Sequence, residues 1–190
     1  KGIPLMSADE ERQFIIRAQQ GDMHAFHLLV ESYMKQAYNI AFGVVNDHHD
    51  AQDAAQESFV RVFQSLKSFR GDAQFSTWLY RIVMNVSLNH VSKRKTRIER
   101  ETRVPDETML AIAADTSRQY SPDVRQHVER ALHELPTLQR SVVILRHLNG
   151  LSTKQVSGIL RCSEGTVKTH LHRGLKKMRT LLGYLESEIV

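Results

Sequence analysis

The sequence predicts an all-α protein made of two small helical domains on a flexible linker, and three observations predict it. Apolar residues recur at spacings of three and four, strand-like alternation is absent, and the helical pattern lapses over residues 98–122. A chain of 190 residues has room for this arrangement, because helical units of under about a hundred residues still bury a core.

Lys1 to Leu5 precede Met6 without helical or strand logic and are read as an expression remnant, so the first domain spans residues 6–97. Ser7-Ala8-Asp9-Glu10 has the spacing of a capping box, in which serine and glutamate satisfy each other's backbone N–H groups, and Gly21 is a natural stop. Asp22 opens a second helix whose apolar face is Phe26, Leu29, Val30, Tyr33, Ala37, Ile40, Ala41 and Val44. A third begins near Asp47, with Ala55, Phe59, Val62, Phe63 and Leu66 on one stripe. A fourth runs from about Phe75 and buries Leu79, Ile82, Val83 and Val86. Between these two lies a polar loop, Phe69 to Gln74, around Gly71.

Residues 98–122 mix charges, Pro105, Ser and Thr with a short apolar patch from Met109 to Ile112, and read as the linker. The second domain, residues 123–190, is introduced by Ser121 as a cap and Pro122 at the first helical position. Pro136 opens a segment carrying Val142, Val143, Leu145 and Leu148, and Asn149-Gly150 closes it. Ser152-Thr153-Lys154-Gln155 is another capping box and starts a short helix with Val156, Ile159 and Leu160. A turn over Arg161 to Ser163 leads into a long final helix.

Composition excludes several classes. With 41% hydrophobic and 25% charged residues the chain is globular, and it has no apolar run long enough to span a membrane. The single cysteine, Cys162, can form neither an internal disulfide nor a multi-thiolate metal site, and the start of the chain has no apolar signal core; both point to the cytoplasm. There is no phosphate-cradling loop and no nucleophile motif, so neither an enzyme nor a cofactor is expected. His49 and Asp53 stand one helical turn apart, but acidic groups near a helix start are expected from the dipole alone, and no further ligand set follows at a characteristic spacing.

The net charge of +5 is segmented. Residues 1–66 carry a net −4, residues 67–97 a net +6, residues 98–122 a net −2 and residues 123–190 a net +5. Two basic zones separated by an acidic stretch suggest two contacts with a polyanion.

Three constellations could make such contacts. The two capped helices around Arg161 to Ser163 fit a helix-turn-helix. On the second of them Val167, Leu171, Gly174, Leu175, Met178, Leu181 and Leu182 share one face, while Gly165, Lys168, Thr169, His172, Lys176 and Arg179 lie opposite. The polar face offers basic groups for phosphates and short polar groups for base edges, although a solvated basic helix would look similar. The fourth helix adds Trp78, Arg81, Asn85 and Asn89 beside its core face, extended by Lys93, Arg94, Lys95 and Arg97. Aromatics stack on unpaired bases and amides pair with their edges, yet a half-buried tryptophan with polar neighbours fits the same row. The third helix shows Asp50, Asp53, Glu57 and Gln64 away from its core with Gln56 at the border, either a solvated face or a dock for a basic partner.

Asp53-Ala54-Ala55-Gln56-Glu57-Ser58-Phe59, followed by the run Phe69 to Ile82, resembles the promoter-melting domain of bacterial sigma factors of the extracytoplasmic-function group. Leu135-Pro136, Gly150-Leu151-Ser152 and Gly165-Thr166-Val167-Lys168 resemble their second domain, and the similarity covers about residues 8–183. The resemblance implies an initiation subunit of RNA polymerase without catalytic residues. Asp53, Gln56 and Glu57 would bind the clamp of the largest polymerase subunit. Phe69, Arg70, Gly71, Asp72, Ala73 and Gln74 would pocket a flipped base of the minus-10 element, with Trp78, Arg81, Asn85 and Asn89 along the unpaired strand. Ser163, Lys168, Thr169, His172 and Arg173 would face the minus-35 duplex, and His172 departs from the side chain many members carry, so sequence preference does not transfer there. The linker would thread toward the RNA path, and an anti-sigma factor, often membrane-anchored, would hold the protein inactive. Two competing readings are a stand-alone regulator whose helical bundle senses a ligand and a hydrolase using a metal at His49 and Asp53; the first would shift duplex DNA without polymerase.

Overall fold

The computed structural model describes residues 6–101 and 122–183; residues 1–5, most of the stretch expected to be linker and the cap expected at Ser121 lie outside them. Among the described residues eight α-helices follow one another: α1 Ala8–Gln19, α2 Met23–Val45, α3 His48–Ser65, α4 Phe75–Glu101, α5 Pro122–His133, α6 Thr137–Val143, α7 Thr153–Leu160 and α8 Glu164–Leu182. A 3-10 turn, Leu66–Ser68, follows α3, and a π-helical turn, Ile144–Leu148, extends α6. No strand occurs among the described residues.

Local chemistry sets the starts of these helices. Ser7 Oγ accepts from Glu10 N while the Glu10 carboxylate accepts from Ser7 N at 2.8 Å, the reciprocal capping box. Ser152 and Gln155 repeat it at α7. Asp22, Asp47 and Ser163 cap α2, α3 and α8, each side chain accepting from the N–H three residues on. Each cap satisfies a backbone donor that a helix start leaves unpaired, worth about 1 kcal/mol. The fourth helix outruns its expected end: it continues through Glu101, four residues into the stretch read as linker. Ile98-Glu99-Arg100-Glu101 contains no glycine or proline, and the first proline is Pro105.

Helices α2, α3 and α4 build the main core from Leu29, Tyr33, Ile40, Val44, Phe59, Val62, Phe75, Leu79, Tyr80 and Val83, all buried. Tyr33 lies edge-on to Phe75 and Tyr80, and its hydroxyl donates to Glu11 of α1. Phe63, expected on the buried stripe, is instead 46% exposed. Its ring meets Phe26 edge-on at 5.1 Å, and that contact covers only part of it. A second cluster, Ala131, Leu132, Leu135, Val143 and Met178, joins α5, α6 and α8. There α8 passes close to α6, since a Cβ on Gly174 would lie 2.8 Å from Val143 Cγ2.

The two domains are packed together along a seam. Val142, Ile144, Leu145, Leu151, Val156, Ile159 and Val167 of the second domain are continuous with the core of the first. Ile144 seats on bare backbone at Gly43 in the last turn of α2: a Cβ there would stand 3.0 Å from two of its carbons and 3.2 Å from a third. On the other side α7 lies on α4, where Gly158 faces the buried Thr77. Polar groups close the seam. Arg81 Nη2 donates to the Gly158 carbonyl at 2.7 Å, Gln155 Nε2 donates to Gln74 Oε1 at 2.7 Å, and Gln36 accepts from Tyr80 while donating to the Asn149 carbonyl.

Candidate nucleic-acid interface

The face expected to dock a protein partner is displayed on α3. Asp53 and Gln56 are exposed, and Glu57 is half-buried against α4. Its carboxylate accepts from Arg61 at 2.5 Å and pairs with His90 Nε2 at 2.9 Å. The His90 hydrogen bond first, with that of Arg61, holds the Glu57 carboxyl below the usual carboxylate range against the opposing effect of burial. Asp50 meets Arg94 at 3.5 Å. One turn beyond Glu57 the same side of the helix becomes apolar, with Val60 55% exposed beside the half-exposed Phe63. Neither was expected on this face. Exposed large apolar groups following an acidic row are the signal for a dock, and in the sequence Phe63 was absorbed into the core stripe.

The loop from Phe69 to Gln74 rises between the 3-10 turn and α4. Gly71 has φ +80°, a backbone conformation that glycine adopts without strain and that turns the chain back toward α4. Arg70, Gly71, Asp72, Ala73 and Gln74 are exposed, whereas Phe69 is half-buried. Its ring packs 5.0 Å from Trp78 and 5.6 Å from Phe75, so the three aromatics form the floor on which the loop rests. Between the loop and α1 lies a cavity of about 550 Å³. Further along α4, Asn85 and Asn89 are exposed, and Lys93 and Arg94 follow, also exposed. The side chains of Lys95 and Arg97 lie outside the described ones.

The structure separates the α4 row into two groups. Asn85 and Asn89 are open, while Arg81 and the loop residue Gln74 are engaged by the second domain through the hydrogen bonds of the seam. The sequence carries a faint sign of this contact: Gly43 and Gly158 sit in helix interiors, where glycine is unfavourable unless another backbone or side chain approaches.

In the second domain the three-residue turn contains Arg161 in the left-handed region, φ 52°, and leads to the Ser163 cap. The Ser163 hydroxyl is taken by the Thr166 N–H and hydroxyl, so this residue fixes the start of α8. Lys168, Thr169, His172 and Arg173 are exposed on one side of α8, and Val167, Gly174 and Met178 are buried on the other. The Thr169 hydroxyl donates back to the Gly165 carbonyl. Cys162 is half-buried in the turn. His49, the possible metal ligand, is exposed, and among the described residues no three His, Cys, Asp or Glu side chains are grouped to hold a metal ion.

Comparison with known proteins follows the same division. Residues 29–97 match Sigma-70 region 2, and residues 125–178 match Sigma-70, region 4. The chain is 31% identical over 176 residues to the ECF RNA polymerase sigma factor SigW of Bacillus subtilis, covering 88% of this chain and 94% of the relative. The chain belongs to the extracytoplasmic-function sigma factors of the sigma-70 family. The ECF RNA polymerase sigma-E factor of Escherichia coli K12 is 33% identical over 171 residues, 86% of this sigma factor and 89% of the relative. Among solved structures, the sigma factor RpoE from Bartonella quintana, in complex with the anti-sigma factor NepR, shares the fold at 23% identity with a TM-score of 0.69, over 83% of this chain and 96% of that one. The membership favours a polymerase initiation subunit over a stand-alone regulator. Among the described residues no helix is long and apolar enough to cross a membrane.

Proposed function

We propose that this sigma factor divides its work among three faces. Asp53, Gln56 and Glu57 dock core RNA polymerase at the clamp of its largest subunit, with Val60 and Phe63 as an apolar extension. The loop Phe69 to Gln74, with Trp78, Arg81, Asn85 and Asn89, captures the melted minus-10 strand. Lys168, Thr169, His172 and Arg173 read the minus-35 duplex on a helix capped by Ser163. In this reading residues 6–97 form the docking and melting domain and residues 123–190 the duplex reader, and the protein works in the cytoplasm without enzymatic activity of its own.

The observation that carries the reading is the exposure of Asn85 and Asn89 on the helix that begins at the loop. Two open amides one turn apart suit unstacked bases, whose edges offer donors and acceptors that duplex DNA conceals. Each captured base offsets a stacking loss of about 1.4 kcal/mol per step, which shifts closed DNA toward open. An anti-sigma factor, as in the RpoE–NepR complex, is the expected inhibitor of this chain. In-vitro transcription with core polymerase on genomic fragments tests the function: specific initiation is expected with polymerase, and strong retardation of duplex DNA by the factor alone would favour the regulator instead.

A further inference from the structure

The cavity beneath the loop has one wall that the family match does not include. Helix α1, Ala8–Gln19, lies ahead of the matched residues 29–97, yet Arg12, Ile15, Ile16 and Gln19 line the cavity opposite Arg70, Gly71 and Ala73. Gln19 is half-buried, and its Nε2 donates twice: to the Leu66 carbonyl at 3.0 Å and to the Phe69 carbonyl at 2.9 Å. Those two acceptors stand at the first residue of the 3-10 turn and the first residue of the loop. One side-chain amide thereby ties α1 to the point from which the loop departs, across 47 and 50 residues of sequence. Ile16 has no place in the core, being 45% exposed, and presents apolar surface to the cavity.

The lining combines apolar and aromatic groups, Ile15, Ile16, Phe69 and Phe75, with the Arg12 and Arg70 guanidiniums and the Glu11 carboxylate, a mixture of ring-packing surface with donors and acceptors that suits a planar, partly polar ring such as an unstacked nucleobase. From this juxtaposition we infer that α1 is the second wall of the flipped-base pocket and that Gln19 is its positioning residue, holding the loop at the separation a base requires. The inference rests on the assignment of the loop to minus-10 capture. Loss of the Gln19 amide removes a donor from the Phe69 carbonyl and leaves the Leu66 carbonyl held by the Phe69 N–H within the turn, so the loop loses its tie to α1 and can move away; the base-dependent part of binding falls while docking through α3 stays unchanged.

The test uses holoenzyme assembled from the full chain and core polymerase. The probe is a promoter fragment selected by that holoenzyme from genomic DNA and opened as a heteroduplex bubble, with each non-template minus-10 base replaced in turn by an abasic unit. With the unaltered protein, one position is expected at which the abasic unit weakens binding about tenfold, the scale of one lost stacked base. In Gln19→Ala and in Gln19→Glu, whose carboxylate cannot donate, that penalty should shrink to about twofold or less. Binding to fragments with the abasic unit at the other positions should match that of the unaltered protein, and core polymerase affinity and thermal midpoint should hold. Ile16→Ser, on an exposed residue that the fold does not need, should shrink the same penalty and no other. Undiminished penalties in all three variants overturn the inference about α1 while leaving the loop assignment standing. An unaltered protein with no abasic-sensitive position at all overturns the loop assignment and the inference with it.

Discussion

Replacing Gly43 with leucine should part the two domains while leaving each folded. Gly43 lies inside α2, so any side chain gains helix propensity there, about 1 kcal/mol for alanine and slightly less for leucine. The strain therefore falls on the seam. A Cβ would stand 3.0 Å from Ile144 Cδ1 and Cγ1 and 3.2 Å from Cγ2, where carbons in ordinary contact keep about 3.5–4.0 Å. Rotating Ile144 cannot remove all three contacts because both branches leave the same Cβ. Overpacking of this kind costs about 1–3 kcal/mol, and the further leucine carbons place the value near the upper half, so a seam equilibrium would move about thirtyfold toward the parted form. Small-angle scattering reads this directly: a compact chain of this length has a radius of gyration near 16 Å, and parting raises it. Gly183→Ala, at a position with nothing within 4 Å, is the control. An unchanged radius and melting midpoint for Gly43→Leu would refute the argument, as would a loss of helix content, which would place the strain inside the first domain.

Other outcomes are open to equally direct measurement. Asp53→Lys and Glu57→Lys should weaken core polymerase binding by tenfold or more with native circular dichroism, and unchanged affinity in both removes the docking role. Lys168→Ala should weaken duplex promoter binding about equally across sequences and reduce the salt slope by about one contact. Asn85→Ala with Asn89→Ala should spare closed complexes and reduce permanganate-reactive open ones; normal open complexes with lost band shifts would end the single-strand assignment. His133 is held neutral, its pKa lowered to about 4 by burial first and then by Arg140, whose guanidinium donates to His133 Nδ1. An unfolded chain takes up that proton near pH 6.5, so the second domain should lose stability as pH falls from about 6.5 toward 4, and His133→Gln should flatten that slope in thermal melts.

What was legible in the sequence was local. Ser7, Asp22, Asp47 and Ser152 announce helix starts because a cap is a contract between residues three apart, and each caps the helix it announces; Ser163, read as the end of the turn, caps α8 as well. The α8 face was legible for the same reason, since helical period alone separates Val167 and Met178 from Lys168 and His172. Phe63 failed because the period fixes a direction around α3 but not how far the neighbouring helix extends to cover it. The Gln19 tie and the Gln74–Gln155 bond were invisible, for glutamines on helix ends and loops read as solvent-facing, and their partners lie 47 to 81 residues away. The end of α4 depended on how long good helix formers continue after the core pattern has stopped.

The seam makes each domain a tethered ligand of the other. In the proposed assignment the two domains serve elements named for positions 10 and 35, about 25 base pairs or roughly 85 Å of duplex at about 3.4 Å per pair, whereas α7 lies directly on α4. Engaging both elements therefore competes with an intramolecular contact whose effective concentration is on the order of millimolar. A seam with an intrinsic dissociation constant of about 100 μM would be closed ten to one, and promoter affinity would fall by about the same factor. By reciprocity, any protein that grips the closed pair alone suppresses promoter binding without touching a single DNA-reading side chain, and bound promoter expels that protein to the same degree. Arg81 and Gln74 hold the seam and, in the proposed assignment, also the melted strand, so on that reading a substitution there retunes sensitivity to an inhibitor together with strand capture.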